Sequence, residues 1–447
     1  MNKVEEGRMV SSIESATLRK LGSRFTMFLG VLYFFSWVNR SSVGIAALQM
    51  NHDLGLTATM FGLGAGLFFA GYAIFEVPSN MLLHKVGARR WIARIMITWG
   101  IFSAGFGFIQ GPYSYYALRF LLGVAEAGFF PGIVYYLTLW FPSAHRARPY
   151  ALFLSFSMVG VMIMSPMSSG LMKVCDGIWG MAGWRWMFII EGVPAVLLGV
   201  VTLFYLTDHP RQAKWLTGEQ RQWLEATLEA ERKAAPPVEH HSVGAFLADG
   251  RLWALAGFYF CWNFGNLGVV LWLPTILKSS TGLGNVEVSL LYSLPFLCAL
   301  LGMNAVRWLA DRTGERKLIL VACSMTGFVF LGASAGIASL GLGPFWSLFW
   351  VLFLICVAAF NIWGLVPVFW TLPADYLGGM TAAAGIAFIS SWTGVGGFAG
   401  PSLVGWIKDR TGQYPPAVLA LSAAFLLQGL IAMAMKIDRT SPRRRNS

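Results

Sequence analysis

Apolar runs of about the length of a membrane span alternate along the chain with short polar loops that carry most of its Lys and Arg. Twelve such runs lie near 25–48, 58–83, 91–111, 113–138, 148–172, 186–206, 251–277, 287–309, 318–339, 344–370, 381–405 and 415–435. A bilayer core needs about 20 apolar residues per helix. The pattern therefore predicts an all-α membrane protein with twelve transmembrane helices. The first run follows about 24 polar residues and is too long for a signal-peptide core, so it is expected to remain as a spanning helix.

The basic residues assign the sides. With the N-terminus inside, 26 Lys and Arg lie in or beside the inner segments and 5 (Lys173, Arg185, Lys278, Lys408, Arg410) lie in the outer loops. That is the asymmetry of the positive-inside rule, and it places both termini in the cytoplasm of a multi-pass inner-membrane protein. It also accounts for a net charge of +12 and a pI near 9.6 without nucleic acid, since the cations sit beside anionic headgroups of the lipid bilayer. Of the 447 residues 56% are hydrophobic and 12% charged, where a soluble chain carries roughly 25% charge.

The expected organisation is an N-terminal segment 1–24, a six-helix bundle 25–206, a cytoplasmic linker 207–250, a second six-helix bundle 251–436 and a basic tail 437–447. The linker holds a capped helix starting at Thr217-Gly-Glu-Gln220 and is broken by Pro236 and Pro237. The two halves share a loop. His84-Lys-Val-Gly-Ala-Arg-Arg90 follows the second span and Asp311-Arg-Thr-Gly-Glu-Arg-Lys317 the eighth, 227 residues on. Both suit a tight turn whose basic residues meet helix C-terminal carbonyls and neighbouring acids. Lys85, Arg89, Arg90, Asp311, Arg312 and Arg316 are therefore candidate gating residues. Asp409-Arg-Thr-Gly412 repeats part of the pattern on the outer side and is given no function.

A charge at mid-membrane costs about 2.5–3.5 kcal/mol on insertion scales, so each one needs a reason. Arg40, Glu76, Arg119, Glu126 and Glu191 are the cases. Arg119 and Glu126, seven apart, share one helix face. An arginine offers a planar fork for a carboxylate, and a poorly solvated glutamate can take up a proton. Together they are the minimum equipment for moving an organic anion with protons. The alternative is a buried pair, Arg119 with Glu126 or Arg40 with Glu126, that only registers the helices. Glu76, two residues before Pro78, is read as a gate or packing residue, and Glu191 as lying near an interface.

Phe75-Glu-Val-Pro-Ser-Asn80, Gly87-Ala-Arg-Arg-Trp91, Arg119 through Gly132 and Trp140-Phe-Pro142 resemble the anion:cation symporter branch of the major facilitator superfamily, from about Phe25 to Met435. That branch includes permeases for tartrate, phthalate, 4-hydroxyphenylacetate and sugar acids. The resemblance implies two pseudo-symmetric bundles alternating access around a midplane site. It assigns substrate carboxylate binding to Arg40, proton coupling to Glu126, and substrate contact to Trp37 and Tyr72. Two departures stand out. Asn39 occupies a proton-coupling position that is usually aspartate, and His84 stands where the loop usually has aspartate. Asn39 leaves three readings open: fewer coupled protons, uncoupled facilitation or anion exchange, or an introduced replacement that holds one conformation.

The second half has no acid or base at mid-membrane. Its candidate contacts are Asn361, Trp370 and Ser390, in a set that also includes Asn263, Asn266, Trp262, Trp363 and Trp392. The expected function is import of a small organic carboxylate by proton symport, by a monomer with no cofactor. The fifth span carries only Ser165-Pro166 between Gly160 and Gly170, a poor match to the antiporter's Gly-Pro pattern, so drug export ranks lower. No Ser/His or paired-Asp arrangement lies at membrane depth, which argues against an enzyme. No Walker motif is present. The five cysteines lack C-x-x-C spacing and the six histidines lie outside the apolar interiors, so no metal site is expected.

Overall fold

The computed structural model describes residues 3–234, 249–373 and 379–435. The basic tail 437–447 and the Pro236-Pro237 break of the linker lie outside the described residues. Every regular element described is helical. The first half consists of α1 (Lys3–Leu21), α2 (Met27–Asp53), α3 (Ala58–Val86), α4 (Ala88–Gly105), α5 (Pro112–Glu126), α6 (Phe129–Trp140), α7 (Ala147–Val174) and α8 (Gly183–Tyr205). The linker contributes α9 (Gly218–Ala234). The second half consists of α10 (Gly250–Thr281), α11 (Asn285–Thr313), α12 (Arg316–Gly336), α13 (Pro344–Phe369), α14 (Gly379–Thr411) and α15 (Pro415–Ala434).

Among the described residues eleven helical stretches are long and apolar enough to cross a membrane. The remaining expected span, 381–405, falls in α14. It packs against α3 on one side and α10 on the other.

Two elements differ from expectation. The N-terminal segment is not a mere polar leader: α1 joins α2 through one π-helical turn, Gly22–Thr26, and packs on α9. Lys20 Nζ donates to Gln220 Oε1 at 2.9 Å. Gln220 also closes the expected capping box, since its amide donates to Thr217 Oγ1 and its side chain accepts from the Thr217 amide, both at 3.3 Å. The fourth span is not continuous but breaks between α5 and α6. Pro131 has no N–H to donate to Ala127, four residues back. Gly128 turns the chain at φ +82°, a conformation natural to glycine. Ser79 Oγ donates to the freed Ala127 carbonyl at 2.6 Å and accepts from Trp91 Nε1 at 3.0 Å.

The repeated loops each turn on a positive-φ glycine but differ in ψ, 144° at Gly87 and 2° at Gly314. Gly87 and Gly314 end α3 and α11 at φ +97° and +69°. Asp208, just beyond α8, accepts from the Arg89 amide at 2.9 Å and pairs with its guanidinium at 3.7 Å. Asp311 pairs along its own helix with Arg307 at 3.8 Å, and Arg312 lies over Trp308 at 4.1 Å. Lys85 and Arg90 are exposed, and Arg316 is half-buried at the start of α12.

On the sides that the basic residues assign, the halves meet at their outer ends. There α3 packs on α14, α7 on α11 and α2 on α10. A Cβ on Gly62 would lie 2.5 Å from the Pro401 carbonyl, and one on Gly405 would collide with the Ala58 carbonyl, so the α3–α14 seam requires glycine at both positions. Asp409 closes its end by accepting from the Ala58 and Thr59 amides at 3.1 and 2.7 Å. These are two of the unpaired N–H groups at the start of α3. The partial motif around Asp409 thus has a place after all: it caps a helix of the opposite half.

Candidate functional site

The break after α5 ends a helix at Glu126, in the middle of the bundle. Its carboxylate is 1% exposed and is held from α2. Arg40 Nε and Nη2 each lie 2.9 Å from Oε1, and Ser36 Oγ donates to the same oxygen at 2.6 Å. Oε2 is buried with no partner. Ser36 and Arg40 are one turn apart and share a face, and that spacing is the signal that would have identified Ser36 beside Arg40. Of the two pairs the sequence left open, the structure forms Arg40–Glu126.

Arg40 is 18% exposed. Its guanidinium lies 5.2 Å from the Tyr72 ring, 5.5 Å from Phe68 and 5.7 Å from Trp37, within cation–π range. Trp37 in turn meets Trp363 of the other half at 6.0 Å. Glu76, one turn from Tyr72 and read from the sequence as a gate or packing residue, is half-buried and lies within electrostatic reach of Arg40.

The other candidates lie apart from this cluster. Arg119 is buried but turns to α3, donating to the Gly64 and Ala65 carbonyls at 3.2 and 3.1 Å. It stacks over Phe68 at 4.8 Å, so that ring lies between two guanidiniums. Asn39 faces α4, where it accepts from Ser103 Oγ, and its amide donates to the Phe35 carbonyl at 3.3 Å. Glu191, expected near an interface, is 2% exposed and buried among α2, α7 and α8, accepting from Ser42 and Ser168.

In the second half two of the three candidate amides are used locally, while the buried Asn266 Nδ2 has no partner. Asn361 and Asn263 donate one turn back, to Val357 and Tyr259, each at 2.9 Å. Trp370 lies edge-on to Tyr259 at 5.0 Å, Tyr259 stacks on Trp262 at 5.6 Å, and Ser390 is half-buried. Among the described residues no cluster of three or more metal-ligating side chains occurs.

Residues 29–401 match the Major Facilitator Superfamily. An Agrobacterium vitis protein that carries the name tartrate transporter is 45% identical over 98% of this chain and 95% of its own length. The quinolone resistance transporter of Acinetobacter baumannii is 39% identical over 94% of each. The fold is similar to a bacterial homologue of the human lysosomal transporter Spinster in an inward-facing, occupied conformation. Its TM-score is 0.68 at 16% identity, over 92% of this chain and 96% of that one.

Proposed function

The chain belongs to the Major Facilitator Superfamily and is a small-molecule transporter rather than an enzyme, and from that premise we propose that it imports a small organic carboxylate with protons. The observation that carries this reading is the Arg40–Glu126 pair, buried at Glu126, partly accessible at Arg40, and ringed by Trp37, Phe68 and Tyr72. Arg40 is the permanent cation of that pair, and two carboxylates compete for it, Glu126 and the substrate. When the substrate carboxylate takes the guanidinium, Glu126 is left buried without a counter-charge. An unpaired buried carboxylate is costly, so Glu126 takes up a proton, and the proton moves with the substrate. When the substrate leaves, Arg40 returns to Glu126 and the proton is released. The aromatic ring around Arg40 suits an apolar or hydroxylated body behind the carboxylate, and Glu126 Oε2 is free to accept from a substrate hydroxyl.

Asn39 faces Ser103 and not the substrate site, which supports coupling that runs through Glu126 alone. The basic-residue asymmetry supports an inner-membrane chain with both termini in the cytoplasm, working as a monomer whose two bundles, 25–206 and 251–436, rock around this site. The repeated loops, with Lys85, Arg89, Arg90, Asp311, Arg312 and Arg316, support an inner gate.

The deciding experiment is uptake into proteoliposomes of labelled tartrate and aromatic carboxylates, with and without an inward proton gradient. Accumulation that requires the gradient is expected, and so is its loss in Arg40→Gln. Equal accumulation without a gradient, or uptake that does not need Arg40, overturns the reading. The quinolone relative favours a second reading on the same chemistry, because quinolone antibiotics also carry an aryl carboxylate. Gradient-driven efflux of a fluoroquinolone with no carboxylate import would select it.

A further inference from the structure

Glu191 lies behind the Arg40 site, on the opposite face of α2. Ser42, which holds it, is two residues from Arg40 and so about 200° around the helix. Glu191 Oε2 lies 2.5 Å from Ser42 Oγ, and Oε1 is hydrogen-bonded to Ser168 Oγ. Each hydroxyl also reaches the carbonyl one turn back. Ser42 Oγ lies 2.8 Å from Val38 O, and Ser168 Oγ lies 2.7 Å from Met164 O. A serine has a single hydroxyl proton, so each of the two must choose.

If Glu191 is an anion, both hydroxyls turn to it. If it carries a proton, it donates to one serine, which then donates to its own carbonyl, while the other serine still donates to the carboxyl C=O. Both protonation states keep both carboxyl oxygens bonded, through rotation of two hydroxyls alone. A group that serves only packing would not need this arrangement.

The charged groups on the surrounding elements are occupied elsewhere or exposed. On α2, Arg40 pairs with Glu126 and Asp53 accepts from the Trp184 indole at 2.8 Å. On α4, Arg94 lies over Trp91 and Arg89 pairs with Asp208. At the start of α8, Arg185 donates to the Gly107 and Ile109 carbonyls. His52, Arg90, Arg148 and Lys173 are exposed at the helix ends. Among the described residues no cation pairs with Glu191, and a buried charge without one is costly.

The two serines also lie beside the outer seal. Ser42 is two residues from Gly44, where a Cβ would lie 2.7 Å from the Leu271 carbonyl of α10. Ser168 precedes Ser169, whose hydroxyl meets Ser289 of α11. Glu191 therefore staples together two helices that each touch the other half.

We propose that Glu191 is a proton-binding site that exchanges with the outer side. It holds a proton while the seal is closed, and loses it to water when α2 and α7 move away from α10 and α11. Acid outside then favours the closed seal. The opening it senses rests on the transport reading above, but the proton itself does not.

Two measurements test this. Infrared spectra of the purified protein at neutral pH are expected to show a carboxylic-acid C=O band that is absent in Glu191→Gln and retained in Glu126→Gln. Ser168→Ala should shift that band, which keeps the test open if Glu191→Gln folds poorly. Spin labels at His52→Cys and Gln413→Cys, with the native cysteines replaced, report the outer seal. The closed fraction should rise as pH falls through the neutral range, and should not change with pH in Glu191→Gln. A band unchanged in Glu191→Gln, or the same pH response in both proteins, overturns the proposal. Band and response without carboxylate transport would leave the proton site standing and overturn the transport reading alone.

Discussion

The two halves of this transporter divide the chemistry. In the first, Arg40, Glu126, Arg119 and Glu191 are buried or nearly so, and each is held by named partners. The second half has no acid or base at that depth. It offers instead an aromatic wall in which Tyr259 stacks between Trp262 and Phe369, at 5.6 and 5.4 Å, with Trp370 edge-on. Trp262 Nε1 donates to the Ile362 carbonyl at 2.7 Å, which fixes that wall. The difference shows how a rocking bundle can limit the cost of intramembrane charge. Charges confined to one half keep their hydrogen bonds whatever the other half does, whereas charges split across the seam would be desolvated and re-paired in every cycle. Stacking surfaces lack that liability, because a ring contact tolerates small displacements.

The strongest way to break this division is to remove the cation. Arg40→Gln should lower carboxylate uptake by about 10–100-fold, the range set by a charge-assisted contact of about 1.5–3 kcal/mol, with the protein still folded by size-exclusion chromatography. Near-normal uptake would move the binding charge off the first half. The next test separates charge from pathway. Glu126→Gln keeps the shape and can still accept from Arg40 and Ser36, but it cannot titrate. Counterflow should persist while gradient-driven accumulation disappears. If accumulation survives, Glu126 is not the coupling carboxylate.

Much of this arrangement was legible in the sequence, and the exceptions share a cause. Run length and basic-residue placement gave the helices, because both follow from bilayer thickness and surface charge. Arg40 and Glu126 stood out because intramembrane charge is rare. What could not be read was direction around the helix axis. Asn39 and Arg40 are neighbours in sequence, yet one faces Ser103 and the other Glu126. The depth of Glu191 along its helix likewise left open that its side chain turns inward, to Ser42 and Ser168. The break at Gly128 was hidden because Pro131 and Gly128 lie in an otherwise apolar run, and the serine that accommodates the break, Ser79, comes from another helix.

A smaller effect should come from the aromatic half. Trp370→Ala removes one edge-on partner of Tyr259, and aromatic pairs contribute about 0.5–1.5 kcal/mol. KM for aromatic carboxylates should rise by about 2–10-fold, with tartrate little affected and proton coupling unchanged. A loss of coupling in this variant would mean that the second half takes part in the charge chemistry.

The smallest expected effect lies where the halves meet. Burial pushes the Asp409 carboxyl up, but hydrogen bonds from Thr59, Thr57 and the Ala58 amide outweigh it and hold the group below the usual aspartate range. A lowered pKa means that the closed seam favours the anion, so its contribution is complete above the ordinary aspartate range. It is lost only as pH falls through the lowered value. Acid therefore weakens the seal through Asp409 and strengthens it through Glu191, and the two act in different pH windows. Asp409→Asn keeps an oxygen for one amide and loses the charge at the start of α3. A charge at a helix N-terminus contributes about 0.3–1 kcal/mol, so the closed-to-open ratio should fall by about 2–5-fold, read from the same pair of spin labels at neutral pH. Because Glu191 is intact in that variant, the neutral-range pH response should survive at reduced amplitude. Its disappearance would show that Asp409, not the buried staple, sets the pH sensitivity of the outer seal.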